Sequence, residues 1–259
     1  MGKNFKKARK QLNYYDMNMS ALANRYPEYV ELVRTAERNR KDSDYELTGG
    51  KFDKKGLKIK STGKNYCDTD VIQGVKENIG TFDLRGARLV VYLGFGLGYD
   101  PLFYTEQVSQ QSNTQNMIVI EKDPALFNMA MKLFDLRSFI NQPRIHILLG
   151  VPAEKIFSEI ANWLNIENRY YNARAYQIIY NQSAFDLDYE YYDSVIKSFA
   201  SADIYAINNY GNDTEDSLIG TENMFANINE IIDNPGINLL KDKFKGKPAV
   251  CIATGPSLN

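Results

Sequence analysis

The chain has 259 residues, a formal net charge of −1, 44% hydrophobic residues and 24% charged residues. This is the composition of a globular protein, and the balanced charge gives no support to a nucleic-acid-binding function. No apolar run reaches the ~18 residues of a membrane span, and the amino terminus lacks the apolar core of a secretory signal. With two cysteines and one histidine, neither arranged in a zinc-type cluster, the sequence predicts a reduced cytoplasmic protein with no metal site.

The first 80 residues predict helices and one hairpin. Apolar residues at helical spacing predict helix from about residue 4 to 40, with Pro27 in a first turn or at a kink. The stretch Tyr45–Thr62 then alternates, and its Lys55-Gly56 pair predicts the turn of a β-hairpin. A short helix follows over Val71–Ile79.

The middle of the chain alternates between strand and helix. Strands are predicted at Leu89–Leu93, Met117–Glu121, Arg144–Leu149 and Tyr176–Tyr180. Helices are predicted at 101 to 110, 124 to 136 and 153 to 164, with Pro101, Pro124 and Pro152 at their starts. This alternation predicts a Rossmann-like α/β fold with a mostly parallel sheet, covered by helices on both faces, from about Asp83 to Tyr205.

The last 50 residues predict a helix and the start of a second α/β unit. Asp213 or Thr214 can cap a helix whose stripe is Leu218, Phe225, Ile228 and Ile232, and Asn234-Pro235-Gly236 ends it. The apolar run Ala249–Ala253 predicts a buried strand, followed by a loop at Thr254–Ser257. The expected domains are therefore 1–82 (helices and hairpin), 83–210 (Rossmann-like), 211–246 (helical linker) and 247–259 (the start of a second domain).

A glycine-rich turn directly follows the first predicted strand of the sheet. Gly94, Gly96 and Gly98 allow close approach of a ligand to the backbone and to free N–H groups. Glu121 ends the next strand, where an acid holds ribose hydroxyls in dinucleotide and S-adenosylmethionine sites. The spacing, with Asp100 following, resembles S-adenosylmethionine-dependent methyltransferases more than NAD enzymes. The alternative is structural: the glycines serve a tight strand-to-helix turn, and Glu121 is a surface acid at a strand end.

His146 alternates with Ile145 and Ile147 in its predicted strand. Its side chain is therefore expected on the opposite side of the strand, and we assign it no catalytic role. After the third predicted strand, "LLGVP" offers no acidic side chain, and after the fourth, "YNQSAFDLD" contains no recognisable catalytic sequence.

The carboxy-terminal quarter carries the most specific resemblance. The stretches "GNDTEDSLIGTENMFANINEIIDNPGI" and "LKDKFKGKPAVCIATGPSLN" closely resemble the motility accessory factor (Maf) family, which is also described as containing a domain similar to 6-hydroxymethylpterin diphosphokinase. Upstream, the "KKGLKIK" hairpin, the "YLGFGLGYD" turn and the "VIEKDP" turn follow in the family's order.

This resemblance implies a bacterial cytoplasmic glycosyltransferase that transfers nonulosonic acids, of the pseudaminic or legionaminic type, from a CMP-sugar to flagellin serines or threonines. The family's Gly-Pro-Ser-Leu loop is matched here by Gly255, Pro256 and Ser257, with Leu258. A similar loop occurs in a bacterial sialyltransferase family, where it approaches the CMP-sugar donor, so the resemblance implies a donor-binding role for these residues. Ala253 departs from the glycine that is usual in the family.

The chain is accordingly expected to be the amino-terminal domain and linker of such a protein, cut as its catalytic domain begins, and to transfer no sugar alone. Engineered truncation and a naturally shortened gene are equally compatible with the sequence. Asp213, Glu215 and Asp216 match the family's linker motif, but acids in a first helical turn also complement the helix dipole. The alternative function is an S-adenosylmethionine-dependent methyltransferase-like enzyme or ligand-binding module that uses the Gly94–Gly98 turn.

Overall fold

The computed structural model describes residues 14–49, 55–67, 71–108, 113–209, 214–234 and 236–248. Compactness divides the chain into two units, residues 1–209 and 210–259. The strands are β1 (Tyr45–Thr48), β2 (Gly56–Ile59), β3 (Asn65–Cys67), β4 (Leu89–Leu93), β5 (Asn116–Glu121), β6 (Ile145–Leu149) and β7 (Tyr176–Tyr180). The helices are α1 (Tyr14–Arg25), α2 (Val30–Arg38), α3 (Val71–Gly80), α4 (Tyr99–Phe103), α5 (Pro124–Leu133), α6 (Arg137–Ile140), α7 (Ala153–Asn165), α8 (Tyr170–Ala173), α9 (Gln182–Leu187), α10 (Tyr189–Asn209), α11 (Thr214–Ala226) and α12 (Ile228–Asp233).

The centre of the first unit is a parallel four-stranded sheet with the order β6-β5-β4-β7. Strand β4 is central: Leu89 pairs with Asn116 on one side and with Tyr176 on the other. All five residues of β4 are buried, as its uninterrupted apolar sequence LVVYL predicts for a strand covered on both faces. The predicted parallel α/β fold is confirmed.

Helices cover both faces of this sheet. Because side chains alternate along a strand, Leu89, Val91 and Leu93 belong to one hydrophobic cluster, with residues of α7 and α10. Val90 and Tyr92 belong to the other, with residues of α1, α3, α5 and α6. The two faces of β4 therefore contribute side chains to two separate hydrophobic clusters, one on each side of the sheet.

A small antiparallel sheet, β1-β2-β3, precedes the parallel one. The predicted hairpin is confirmed, but the predicted turn at Lys55-Gly56 is wrong. Gly56 lies inside β2 and pairs with Thr48, so the connection lies earlier in the chain. Strand β3, whose three residues carry no periodic pattern, was not predicted.

Several helix boundaries also differ from the prediction. The part of the first helical region that the structure describes, from residue 14, is two helices, α1 and α2, joined by a 3₁₀ turn at Pro27–Tyr29, because proline cannot continue a helix and suits a first turn; residues 4–13 of the prediction lie outside the described residues. The helix predicted at 101–110 begins earlier, at Tyr99, and changes into a π-helical turn at Tyr104–Val108. The helix predicted to 136 stops at Leu133, and α6 follows it.

The outer edge of β6 is sealed by two tyrosines. The Tyr26 hydroxyl donates to the Ile145 carbonyl (3.0 Å) and accepts from the Ile147 N–H (3.3 Å). The Tyr29 hydroxyl makes a hydrogen bond with the backbone of Leu149, and the two rings stack 5.9 Å apart. The phenols therefore satisfy the backbone groups that a further strand would pair with.

In the second unit, the predicted linker helix is divided into α11 and α12 at Asn227. Its apolar positions are exposed: Leu218 58%, Phe225 66%, Ile228 41% and Ile232 72%. The predicted strand Ala249–Ala253 and the Thr254–Ser257 loop lie outside the described residues. Across the part of the chain that the structure describes, no helix is both long and apolar enough to cross a membrane.

Candidate functional site

The candidate site lies where the glycine turn and the end of β5 meet. Parallel strands place their carboxyl ends at one edge of the sheet, which is where Rossmann-like sheets bind ligands. We call the space at the ends of β4, β5 and β6 the cleft. The structure brings together the predicted residues Gly94, Gly96 and Glu121 at this edge.

Each glycine of the turn has a positive φ, at +83° for Gly94, +56° for Gly96 and +88° for Gly98. Close packing adds a second requirement at Gly94, because a Cβ there would lie 2.3 Å from the Ala184 Cβ in α9. All residues from Gly94 to Gly98 are buried. The turn therefore needs glycine for conformation and for packing against α9.

Glu121 is turned inward and holds the glycine turn. Its Oε2 accepts from the Gly96 N–H at 2.9 Å, and its Oε1 accepts from the Asp123 N–H at 2.8 Å. The side chain is only 1% exposed, so the prediction of a surface acid is wrong. Burial raises the pKa of Glu121 to about 7, and the backbone hydrogen bonds from Asp123 and Gly96 oppose that rise.

Tyr66 of β3 covers the turn. Its ring lies 3.0 Å from the position that a Cβ on Gly96 would take, and the residue is 3% exposed. Burial strongly raises its pKa, helped by the nearby Glu121 carboxylate. Within the described residues its buried hydroxyl has no hydrogen-bond partner. Sequence reasoning missed Tyr66, because a three-residue strand at the exit of a hairpin gives no signal of what it will cover.

The end of β6 is covered as well. Gly150 follows β6 with φ at +63°, and a Cβ there would lie 2.9 Å from Leu32 Cδ2 in α2 and 3.2 Å from Pro124 Cγ. Open space near the cleft is a surface groove of about 360 Å³, whose lining includes Asp42, Asp44 and Asp123. As arranged, the turn and its acid do not fit a nucleotide or S-adenosylmethionine: the Gly96 N–H is used by Glu121, and protein side chains stand over both Gly96 and Gly150.

Asp100 belongs to a separate buried network. Its Oδ2 accepts from the Tyr92 hydroxyl (2.6 Å) and from Asn78 Nδ2 (3.3 Å). Asn78 also donates to the Tyr180 carbonyl (3.3 Å). Burial raises the pKa of Asp100. The network ties α3 and α4 to the end of β7, which is a structural task.

His146 faces the side opposite Ile145 and Ile147, as predicted. Its ring stacks on Trp163 of α7 at 5.2 Å and 11°, and the Arg169 guanidinium lies over the same indole, 4.7 Å from its centroid. Burial lowers the pKa of His146 to about 4, with smaller contributions from Arg169 and Arg25. A neutral histidine packed on an indole has a core role.

Of the remaining candidate residues, only Glu215 and Asp216 lie within the described part of the chain. Glu215 and Asp216 lie in the first turn of α11 and are exposed. Gly255, Pro256, Ser257 and Asp213 lie outside the described residues. Among the described residues no three of His, Cys, Asp or Glu are grouped so that they could hold a metal ion.

Comparisons with known proteins give only distant likenesses. No protein-family model matches the chain, and no curated protein matches it significantly. Among solved structures, it resembles a Maf glycosyltransferase from Magnetospirillum magneticum AMB-1 with 13% identity and a TM-score of 0.46, over 68% of this chain and 34% of that one. It also resembles MnmC2 from Aquifex aeolicus with 17% identity and a TM-score of 0.28, over 55% of this chain and 57% of that one. The chain spans about a third of the glycosyltransferase, and neither likeness carries an assignment of activity.

Proposed function

We propose that this chain is the accessory amino-terminal region of a Maf-type protein glycosyltransferase, which transfers a nonulosonic acid of the pseudaminic or legionaminic type from a CMP-sugar to flagellin serines or threonines. The role of the chain is to position flagellin or to organise the catalytic domain. The proposal places the protein in the cytoplasm, with flagellin as partner. It keeps the division into 1–82, 83–210, 211–246 and 247–259, and it assigns the CMP-sugar loop to Gly255, Pro256 and Ser257.

The closed cleft is the observation that carries an accessory role. Catalysis needs reacting groups and substrate to meet in one accessible place. At the ends of β4 to β6, Tyr66 lies over Gly96 and Leu32 lies over Gly150, and the Glu121 carboxylate accepts the Gly96 N–H. The sequence resemblance supplies the substrate class, and the succession of helices, small sheet and parallel sheet agrees with the family's order.

The second unit supports the same role. Helix α11 has no buried residue, and its exposed apolar side chains include Leu218, Met224 and Phe225. Exposed apolar surface of this kind is typical of a region that contacts another protein or domain. A linker that organises a catalytic domain needs such a surface.

The test compares this 259-residue chain with the product of the whole reading frame that encodes it. Each is incubated with flagellin and CMP-pseudaminic or CMP-legionaminic acid, and the flagellin is weighed by intact mass spectrometry. We expect one or more nonulosonic acid additions with the whole product and none with the chain. A mass shift produced by the chain alone would place the chemistry in the first sheet and overturn the accessory role.

A ligand-binding or methyltransferase-like function is the second candidate. The observation in its favour is that Gly96 and Glu121 meet at the carboxyl edge of the sheet, beside the Tyr66 hydroxyl, which has no partner among the described residues. It requires the cleft to open. Calorimetric titration with S-adenosylmethionine and S-adenosylhomocysteine separates the two candidates: micromolar binding that Gly96→Val abolishes would favour this second function.

A further inference from the structure

Strand β7 forms the other outer edge of the parallel sheet. Its inner groups face β4, since the Ala175 carbonyl accepts from Arg88 and Leu89 and the Asn181 N–H donates to Leu93. Backbone groups of alternate residues point in opposite directions, so those of Tyr176, Ile178 and Tyr180 point away from the sheet.

These outward groups are poorly satisfied. The Ile178 carbonyl accepts only from the neighbouring Gln177 side chain (3.1 Å), and the Tyr180 carbonyl accepts from Asn78 (3.3 Å). Within the described residues, the N–H groups of Tyr176, Ile178 and Tyr180 meet no acceptor. An edge whose outward N–H groups meet no acceptor among the described residues, and whose carbonyls accept only from side chains, matches one kind of partner, which is another extended strand.

The sequence of β7 is self-complementary. The side chains on one face of the strand are Tyr176, Ile178 and Tyr180. The order Tyr-Ile-Tyr is the same when it is read from either end, with Ile178 at the centre. The strand YQIIY carries no charge, so self-pairing brings no like charges together. Tyr176 is 40% exposed and therefore available to a neighbour.

We propose that β7 pairs antiparallel with β7 of a second copy of this chain, about a two-fold axis through Ile178. A two-fold axis makes the same patch meet itself. It sets Ile178 opposite Ile178, and Tyr176 opposite Tyr180, of the second copy, an aromatic cross-strand pair of the stabilising kind. The outward N–H and C=O groups then bond across the axis and replace the Gln177 contact. The two four-stranded sheets become one continuous sheet.

An aromatic row extends the contact beyond the strand. Tyr180, Phe185 and Tyr189 follow one another with ring centroids 5.3 and 5.4 Å apart, and Tyr189 is 59% exposed. Five residues of strand with a few flanking rings make a small interface, so the dimer is expected to be reversible and concentration-dependent.

The first test measures the mass of the full chain by analytical ultracentrifugation over about 1–200 μM, the range suited to a weak interface. We expect a shift from 29.6 kDa towards twice that mass. Ile178→Pro removes an outward N–H, which an edge strand tolerates, and shortens a half-buried side chain that packs against the core; it is expected to leave a folded monomer. The control Ile204→Lys changes an apolar side chain of α10 that is 59% exposed and should leave the dimer intact. A dimer that dissociates in the control but not in Ile178→Pro overturns the proposal.

The second test is cross-linking, in a background with Cys67→Ser and Cys251→Ser. Directly opposed residues of a hydrogen-bonded antiparallel pair have Cα atoms about 5.5 Å apart, within disulfide range. Ile178→Cys should therefore give a covalent dimer on mild oxidation, and Gln177→Cys, on the other face and out of register, should not. A chain that stays monomeric with slowly exchanging Ile178 and Tyr180 amides would show that another segment covers the edge. That outcome, or equal cross-linking of both variants, would overturn the proposal.

Discussion

A Rossmann-like sheet commonly binds ligands at its carboxyl end and can pair with another strand at its outer edge. In this protein the carboxyl end of the sheet and its β7 edge differ in how far their backbone groups are covered. At the carboxyl end, Tyr66 lies over Gly96, Leu32 lies over Gly150, and Glu121 accepts the Gly96 N–H. At β7, the outward N–H groups meet no acceptor among the described residues, and Tyr176 is 40% exposed. The difference supports the proposal that this unit acts through its surface.

Gly94→Ala, at the carboxyl end of the sheet, should cause the largest loss of stability among the variants considered. The added Cβ meets Ala184 at 2.3 Å and the backbone has φ of +83°, so strain and overpacking together should cost about 2–6 kcal/mol of unfolding free energy. Gly74→Ala in α3 is the control, because nothing lies within 4 Å of the new Cβ, and it should be neutral or stabilising. Urea unfolding of both variants measures this; equal stabilities would mean that the turn is not packed as described.

The pH dependence of stability should expose the buried Glu121. Its folded pKa of about 7 is above its usual 4.5, so the folded state retains a proton that the unfolded state loses. Stability from this group is full below pH 4.5, is lost as the pH rises from there through about 7, by at most about 1.4 kcal/mol per pH unit, and changes no further above that.

His146 should act with the opposite sign. Its folded pKa of about 4 lies below its usual 6.5, so its contribution is full above pH 6.5 and is lost as the pH falls towards 4. In Glu121→Gln, stability should therefore rise from pH 5 to 7 more steeply than in the unaltered chain. Denaturant unfolding at several pH values measures the slopes, and parallel curves would contradict the assignment of Glu121.

Two tyrosine-to-phenylalanine changes sharpen the contrast between satisfied and unsatisfied hydroxyls. Tyr26→Phe removes the group that serves Ile145 and Ile147 at the β6 edge and should cost about 1–3 kcal/mol. Tyr66→Phe removes a buried hydroxyl with no partner among the described residues and should be neutral or slightly stabilising. A large loss in Tyr66→Phe, measured by the same unfolding assay, would show that this hydroxyl is bonded.

The sequence predicted the parallel sheet well because its strands carry a strong local signal. Leu89–Leu93 and its neighbours are short runs of apolar, β-rich residues separated by helices that start near prolines, and this pattern depends on nothing distant. The Gly94 turn and Glu121 were also found, since strand order alone brings them to one edge.

What the sequence did not predict depends on contacts between distant residues. Tyr66 covers Gly96, Leu32 covers Gly150, and Tyr26 seals β6 from more than a hundred residues away in the chain. No local pattern marks these partners. The glycine turn and the acid were therefore compatible with two predictions, a ligand-binding site and a packed structural turn. The division of the linker helix at Asn227 could not be predicted either, because the spacing of the apolar residues is that of one continuous helix.

Amide hydrogen exchange at Phe95 and Gly96 tests the closed cleft most directly. If Glu121 and Tyr66 close the turn, the Gly96 amide exchanges slowly in the chain without added ligand, and Glu121→Ala speeds its exchange at least tenfold. S-adenosylmethionine, S-adenosylhomocysteine and CMP leave the rate unchanged. Fast exchange in the unaltered chain that slows only when one of these ligands is added would contradict the account, because it would mean that the cleft is a binding site completed by its ligand.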